Sequence, residues 1–114
     1  MCKFSMRIQH STFSLSTLGG GIFEVVRELS YQFTQMENVK TIVAGPADAG
    51  TEKDANQWAC PTVPYKTIGP KAFGFSRQLT KIYDDFTPSL SHVHGIWMYY
   101  SIANFNYTRQ HKIP

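Results

Sequence analysis

Cysteine is nearly missing from this chain. Its two copies, Cys2 and Cys60, stand far apart and neither belongs to a C-x-x-C pair. No zinc spacing can be built from them, and nothing in their placement argues for a disulfide. A reducing cytoplasm is therefore the expected setting. Long apolar runs are missing too: no stretch approaches the roughly 18 uninterrupted apolar residues of a membrane span. The opening MCKFSMRIQH is too polar and mixed to read as a secretory signal. A strong charge of one sign is also lacking. Eleven basic residues against eight acidic ones give +3, spread from Lys3 to Lys112 without a block of like charges. Nucleic-acid proteins concentrate Lys and Arg on one face or along one helix. The basic excess here reads as ordinary solvated surface, and no nucleic-acid partner is expected.

What is present suits one small globular domain over residues 1–114. Hydrophobic residues make up 42% and aromatics 14% of 114 residues, which argues against long disorder. Residues 4–10 alternate Phe4, Met6 and Ile8 and read as a strand. A Ser/Thr-rich loop leads to Gly19-Gly20-Gly21, and a helical pattern follows at Ile22, Val25, Val26, Leu29, Phe33 and Met36. Further strands are predicted over 39–44, 63–68 and 90–94, and further helices over about 72–86 and 98–112, with 48–61 as a loop.

The order β-α-β-β-α-β-α implies crossover connections. It predicts an α/β fold: a Rossmann-like three-layer sandwich with a mostly parallel sheet of about four strands. Ligands of such sheets sit beyond the carboxyl ends of the strands. Two places fall there: the glycine loop after the first strand, and His94-Gly95-Ile96-Trp97 after the fourth.

The triple glycine lies between a strand and a helix, where backbone N–H groups can cradle an anion. It matches neither G-x-G-x-x-G nor a P-loop, and a plain turn explains it equally well. His92 and His94 lie two apart on one strand and so share a face. Such a pair suits a metal or a hydrogen-bonded core histidine, although no carboxylate or Cys lies near them in sequence to complete a ligand set. His94 falls at the ligand edge, and His10 closes the first strand at the same edge as either a substrate contact or a strand-end residue. Trp97, Tyr99 and Tyr100 suit stacking on a sugar or base, or simple helix packing. Asp84-Asp85, adjacent on a helix, diverge and read as a solvated end.

Taken together, Gly19 to Gly21, the EVVREL stretch from Glu24 to Leu29, PSLSHVHGIW from Pro88 to Trp97, and Arg109 to Pro114 resemble the N-terminal domain of group 1 (family 4) glycosyltransferases. That family reads Gly-Gly, a helix patterned e-v-v-r-x-l-a, a P-D-(I/V)-(V/I)-H-x-H-G-x-W strand, and a-r-x-x-x-x-P. Ser89 stands where the family has Asp, which puts a role for that carboxylate in doubt.

The resemblance implies a GT-B fold of two Rossmann-like domains, and this chain would be the truncated N-terminal, acceptor-side half. The implied activity is retaining transfer of a hexosyl group from a nucleotide diphosphate sugar, without a metal cofactor, in polysaccharide biosynthesis. The acceptor would be a sugar or a lipid-linked sugar, with peripheral membrane attachment of the full-length enzyme. By position in the motif, His94 would be catalytic. Gly19, Gly20 and Gly21 would lie near the donor diphosphate or the acceptor, with His92, Trp97 and His10 as further substrate contacts. The donor-binding domain, with its basic pair and paired glutamates, is absent from these 114 residues. The isolated chain is therefore expected to be inactive, with an unpaired sheet edge open to self-association. The other reading is a small α/β nucleotide- or anion-binding module without catalysis.

Overall fold

A computed structural model describes residues 6–70, 72–95 and 98–114. The order is β1 (Met6–Ser11), α1 (Gly20–Thr34), β2 (Val39–Pro46), β3 (Thr62–Tyr65), α2 (Gln78–Phe86), β4 (Leu90–Val93) and α3 (Tyr99–His111). Short 3-10 turns at Thr17–Gly19 and Ala55–Gln57 interrupt the two long loops. All four strands are parallel, in the order β3-β2-β1-β4. The fold is α/β and Rossmann-like. No helix among the described residues is long and apolar enough to cross a membrane.

The period-two alternation of the strands sorts the two faces of the sheet. On one face, α1 packs Phe23 and Val26 against Leu15, Val43, Trp58 and Cys60. On the other, α2 and α3 bring Leu79, Tyr83, Tyr100, Ala103 and Tyr107 onto Ala44 and Tyr65. Tyr83 is 1% exposed, and its hydroxyl meets Ser11 Oγ at 3.2 Å, Ser91 Oγ at 3.3 Å and Asn104 Oδ1 at 3.2 Å. Ser91 Oγ also donates to Asn104 Oδ1. One network thus ties β1, α2, β4 and α3 together, with its buried polar atoms paired.

Several boundaries differ from the sequence reading. β2 runs through Gly45-Pro46 instead of ending before it, because Pro46 lies in register with Tyr65 and needs no ladder N–H there. β3 ends at Tyr65, three residues early. α2 begins at Gln78 rather than near Ala72: Gly74 has φ +69° and sits in a turn where Gly74 N donates to Pro70 O at 3.3 Å. Phe75 therefore packs from a loop against Tyr99 at 4.7 Å between ring centroids. α1 begins at Gly20, so two of the three glycines lie inside the helix. Its buried stripe is Phe23, Val26 and Ser30. Ile22, Val25 and Met36, expected on the buried face, are 40%, 60% and 53% exposed. Ile22 and Val25, each one residue before Phe23 and Val26, lie about 100° around the helix from them and face away from the sheet.

Candidate functional site

The segment after each strand converges at the carboxyl end of the sheet. A cavity of about 220 Å³ opens there, lined by Phe13 after β1, Pro46, Ala47 and Asp48 at the end of β2, Thr67 after β3, Ala72, and Met98 before α3. A parallel sheet places its ligand crevice at this end. None of the individually named candidates lines this cavity, but Phe13, Pro46, Ala47 and Asp48 fall within loops 11–18 and 46–62, where the family resemblance puts acceptor choice.

Asp48 organises the loop after β1. Its carboxylate accepts hydrogen bonds from Ser14 Oγ at 2.6 Å, Ser16 Oγ at 2.8 Å, Gly50 N at 2.9 Å and Thr51 Oγ1 at 3.2 Å. Burial pushes its pKa up, but these hydrogen bonds outweigh burial and hold it below the ordinary carboxylate range. Asp54 repeats the device. It accepts from Thr17 N at 2.9 Å and Thr17 Oγ1 at 3.1 Å, and the backbone bond from Thr17 is the main cause of its lowered pKa. Trp58 Nε1 donates to Leu15 O at 2.9 Å. The Ser/Thr-rich loop, which reads as variable and solvated in sequence, is therefore clamped, with Thr12, Ser14 and Ser16 buried.

This clamp delivers the chain to α1. Gly19 is buried, and Gly20 takes φ +62°, ψ −135°, a conformation side-chain-bearing residues avoid. No side chain caps the helix start and no acidic residue lies in its first turn. Gly20 N–H itself donates to Thr17 O, and the positive end of the helix carries no compensating carboxylate.

The histidines gather on the α1 side of the sheet. β1 and β4 pair with His10 opposite His92, and Ser11 O accepts from His94 N at 2.9 Å. His94 is fixed from its other side as well, since its carbonyl accepts from Tyr100 Oη at 2.9 Å. The three imidazoles cluster: His10 Nδ1 lies 3.1 Å from His94 Nε2, and the His92 and His94 rings stack at 4.1 Å between centroids. His10 is fully buried, His94 partly buried, and His92 exposed. Burial, reinforced by the neighbouring His94 and His92, lowers the His10 pKa to about 3. Burial, then His92, lowers that of His94 to about 4. Both rings are neutral at pH 7 and present lone pairs.

The sequence thus anticipated that His92 and His94 share a face and that His10 lies at the same edge. That His10 supplies a third adjacent imidazole depends on the β1–β4 register. Trp97 lies outside the described residues. Gly95, next to His94, has φ +121°, and a Cβ there would sit 2.5 Å from Tyr100 Oη. Gly95→Ala is therefore expected to destabilise the fold by about 2 kcal/mol and to loosen the Tyr100–His94 bond. Urea unfolding of the variant checks this; a change within about 0.5 kcal/mol would contradict it.

No family model, no curated protein and no solved structure matches the chain.

Proposed function

We propose that the chain is the acceptor-side part of a retaining glycosyltransferase that uses a nucleotide diphosphate sugar. The observation that carries this reading is the convergence of four strand ends on one open cavity, with His94 held at the end of β4 by Ser11 and Tyr100. In this reading the cavity between Phe13, Asp48 and Met98 takes the acceptor. The Asp48 carboxylate hydrogen-bonds sugar hydroxyls and Phe13 packs on the ring face. His94 approaches the reacting sugar as a neutral hydrogen-bonding group, and the opening N–H groups of α1 face the donor's diphosphate charge. The chain is half of a cleft. In this reading donor recognition comes from residues other than these 114, and no transfer is expected from this segment alone.

Amide chemical shifts of the labelled chain test this during titration with oligosaccharide acceptors and, separately, with UDP- and GDP-sugars. Saccharides are expected to move Phe13, Asp48 and His94, while the nucleotide sugars bind weakly and no transfer is detected. Robust turnover by the isolated chain would overturn the half-cleft assignment. The uncapped start of α1 favours one other reading, a nucleotide- or anion-binding module without catalysis. Tight binding of UDP at Gly20 and Gly21, with no response to any saccharide, would select it.

The sheet also leaves β3 and β4 as edges. Pro64 within β3 blunts one, whereas among the described residues β4 pairs outward where Ser91 N donates to Pro114 O at 3.0 Å. Self-association through β4 is expected, seen as a scattering mass that rises with concentration. A clean monomer at high concentration would refute it.

A further inference from the structure

We propose that His10, His92 and His94 form a binding site for a divalent transition-metal ion of the zinc class, with three imidazole ligands and one coordination position open to solvent. The site shares His94 with the sugar-transfer reading but does not rest on it. One potential ligand atom from each ring lies within 4.8 Å of the others, and this is the group of three metal-ligating side chains found among the described residues. Tetrahedral zinc at about 2.0–2.1 Å from each imidazole nitrogen sets neighbouring nitrogens about 3.3–3.4 Å apart. His10 Nδ1 and His94 Nε2 already stand at 3.1 Å. A small rotation of the exposed His92 ring closes the remaining gap.

Two further observations point to a ligand. The His10 ring is 0% exposed, and Nδ1, the nitrogen that faces the other rings, is the one a metal would take. Its Nδ1 meets only another imidazole nitrogen. A buried imidazole left with one ring–ring contact gains little in return for its desolvation, whereas a cation shared by the rings gives that arrangement a purpose. The supports are also rigid. His10 and His92 sit in register on adjacent paired strands, and the backbone of His94 is held at both its N–H and its carbonyl. Ligands on paired strands keep their spacing better than ligands on loops. An all-imidazole set suits zinc, copper or nickel over calcium or magnesium, which take oxygen ligands. Exposed His92 places the fourth position toward water, the arrangement that distinguishes open sites from closed structural ones.

The experiment is zinc titration of EDTA-treated, dialysed full chain by calorimetry, in a Cys2→Ser, His111→Ala background that removes the fourth histidine and the N-terminal thiol and leaves Cys60 buried. Cobalt is used in parallel as a spectroscopic probe. One zinc per chain is expected, with intense visible absorption from four-coordinate cobalt. His92→Ala removes an exposed ligand and leaves the core intact; it is expected to weaken binding at least about tenfold. Proton NMR of the parent provides a second measurement, with zinc shifting the ring signals of His10, His92 and His94 together. Absence of stoichiometric binding, or parental affinity in folded His92→Ala, overturns the proposal. So does a zinc response that leaves these three rings unmoved.

Discussion

Stripped of bound ions, the folded chain is expected to lose about 4 kcal/mol of stability between pH 8 and pH 5, the combined share of His10 and His94. The folded-state pKa values are lowered from 6.5 to about 3 and about 4. The unfolded chain therefore binds a proton at each site as pH drops through 6.5, and the folded chain does not. Each group contributes stability that is fully present above the unfolded pKa and is lost as pH falls toward the folded one. At about 1.4 kcal/mol per unit, the pH 5 loss is about 2 kcal/mol for each ring. The rings facing His10 among the described residues are His92 on β4, His94 just after it and Phe33 on α1, with no carboxylate among them to offset the effect. Urea midpoints at pH 8 and pH 5 in EDTA measure it. In His10→Gln the pH dependence is expected to fall to about half. A loss below about 1 kcal/mol in the parent would show that the rings protonate without unfolding.

Asp48→Ala is expected to cost about 3–4 kcal/mol at pH 7. The carboxylate holds Ser14, Ser16, Gly50 and Thr51 at once, and a hydrogen bond to a charged group contributes about 1.5–3 kcal/mol. The four bonds share one carboxylate and do not add fully, so the expected loss is well below their sum. Buried Ser14 and Ser16 keep each other, at 3.2 Å, and local backbone bonds such as Leu18 N to Ser16 Oγ, but lose their charged acceptor. Asp48→Asn retains an acceptor and is expected to lose less than half as much. Denaturant unfolding gives the stability change. Faster amide exchange over residues 12–19 would show that the loss is local to the loop after β1. Equal losses in both variants would mean that charge, not the acceptor geometry, holds the loop.

Much of the fold was legible because its signals are local. Phe75 aside, the α2 pattern of Leu79, Ile82, Tyr83 and Phe86 marks the face that packs on the sheet, with Leu79 and Tyr83 buried. α1 was harder. Its apolar residues nearly encircle it, and Leu18, Ile22 and Val25 stay exposed, so periodicity alone did not select Phe23. The packing of Phe23 and Val26 among Leu15, Val43 and Trp58 decides the rotation. Asp48 and Asp54 looked like ordinary polar loop residues. Their partners lie 34 and 37 positions away, and a spacing of that kind leaves no periodic trace.

The chain's own order of strands, helices and glycine turns determined a parallel α/β sheet whose ligand end lies beyond β1 and β4, because each element declares itself within a few residues. It also placed His92 and His94 on one face, since side chains alternate along a strand. Tertiary structure alone decided that His10, 84 positions before His94, joins them at 3.1 Å. Strand register is set by pairing across the sheet, and a slip of one residue would have turned His10 toward the tyrosines on the opposite face.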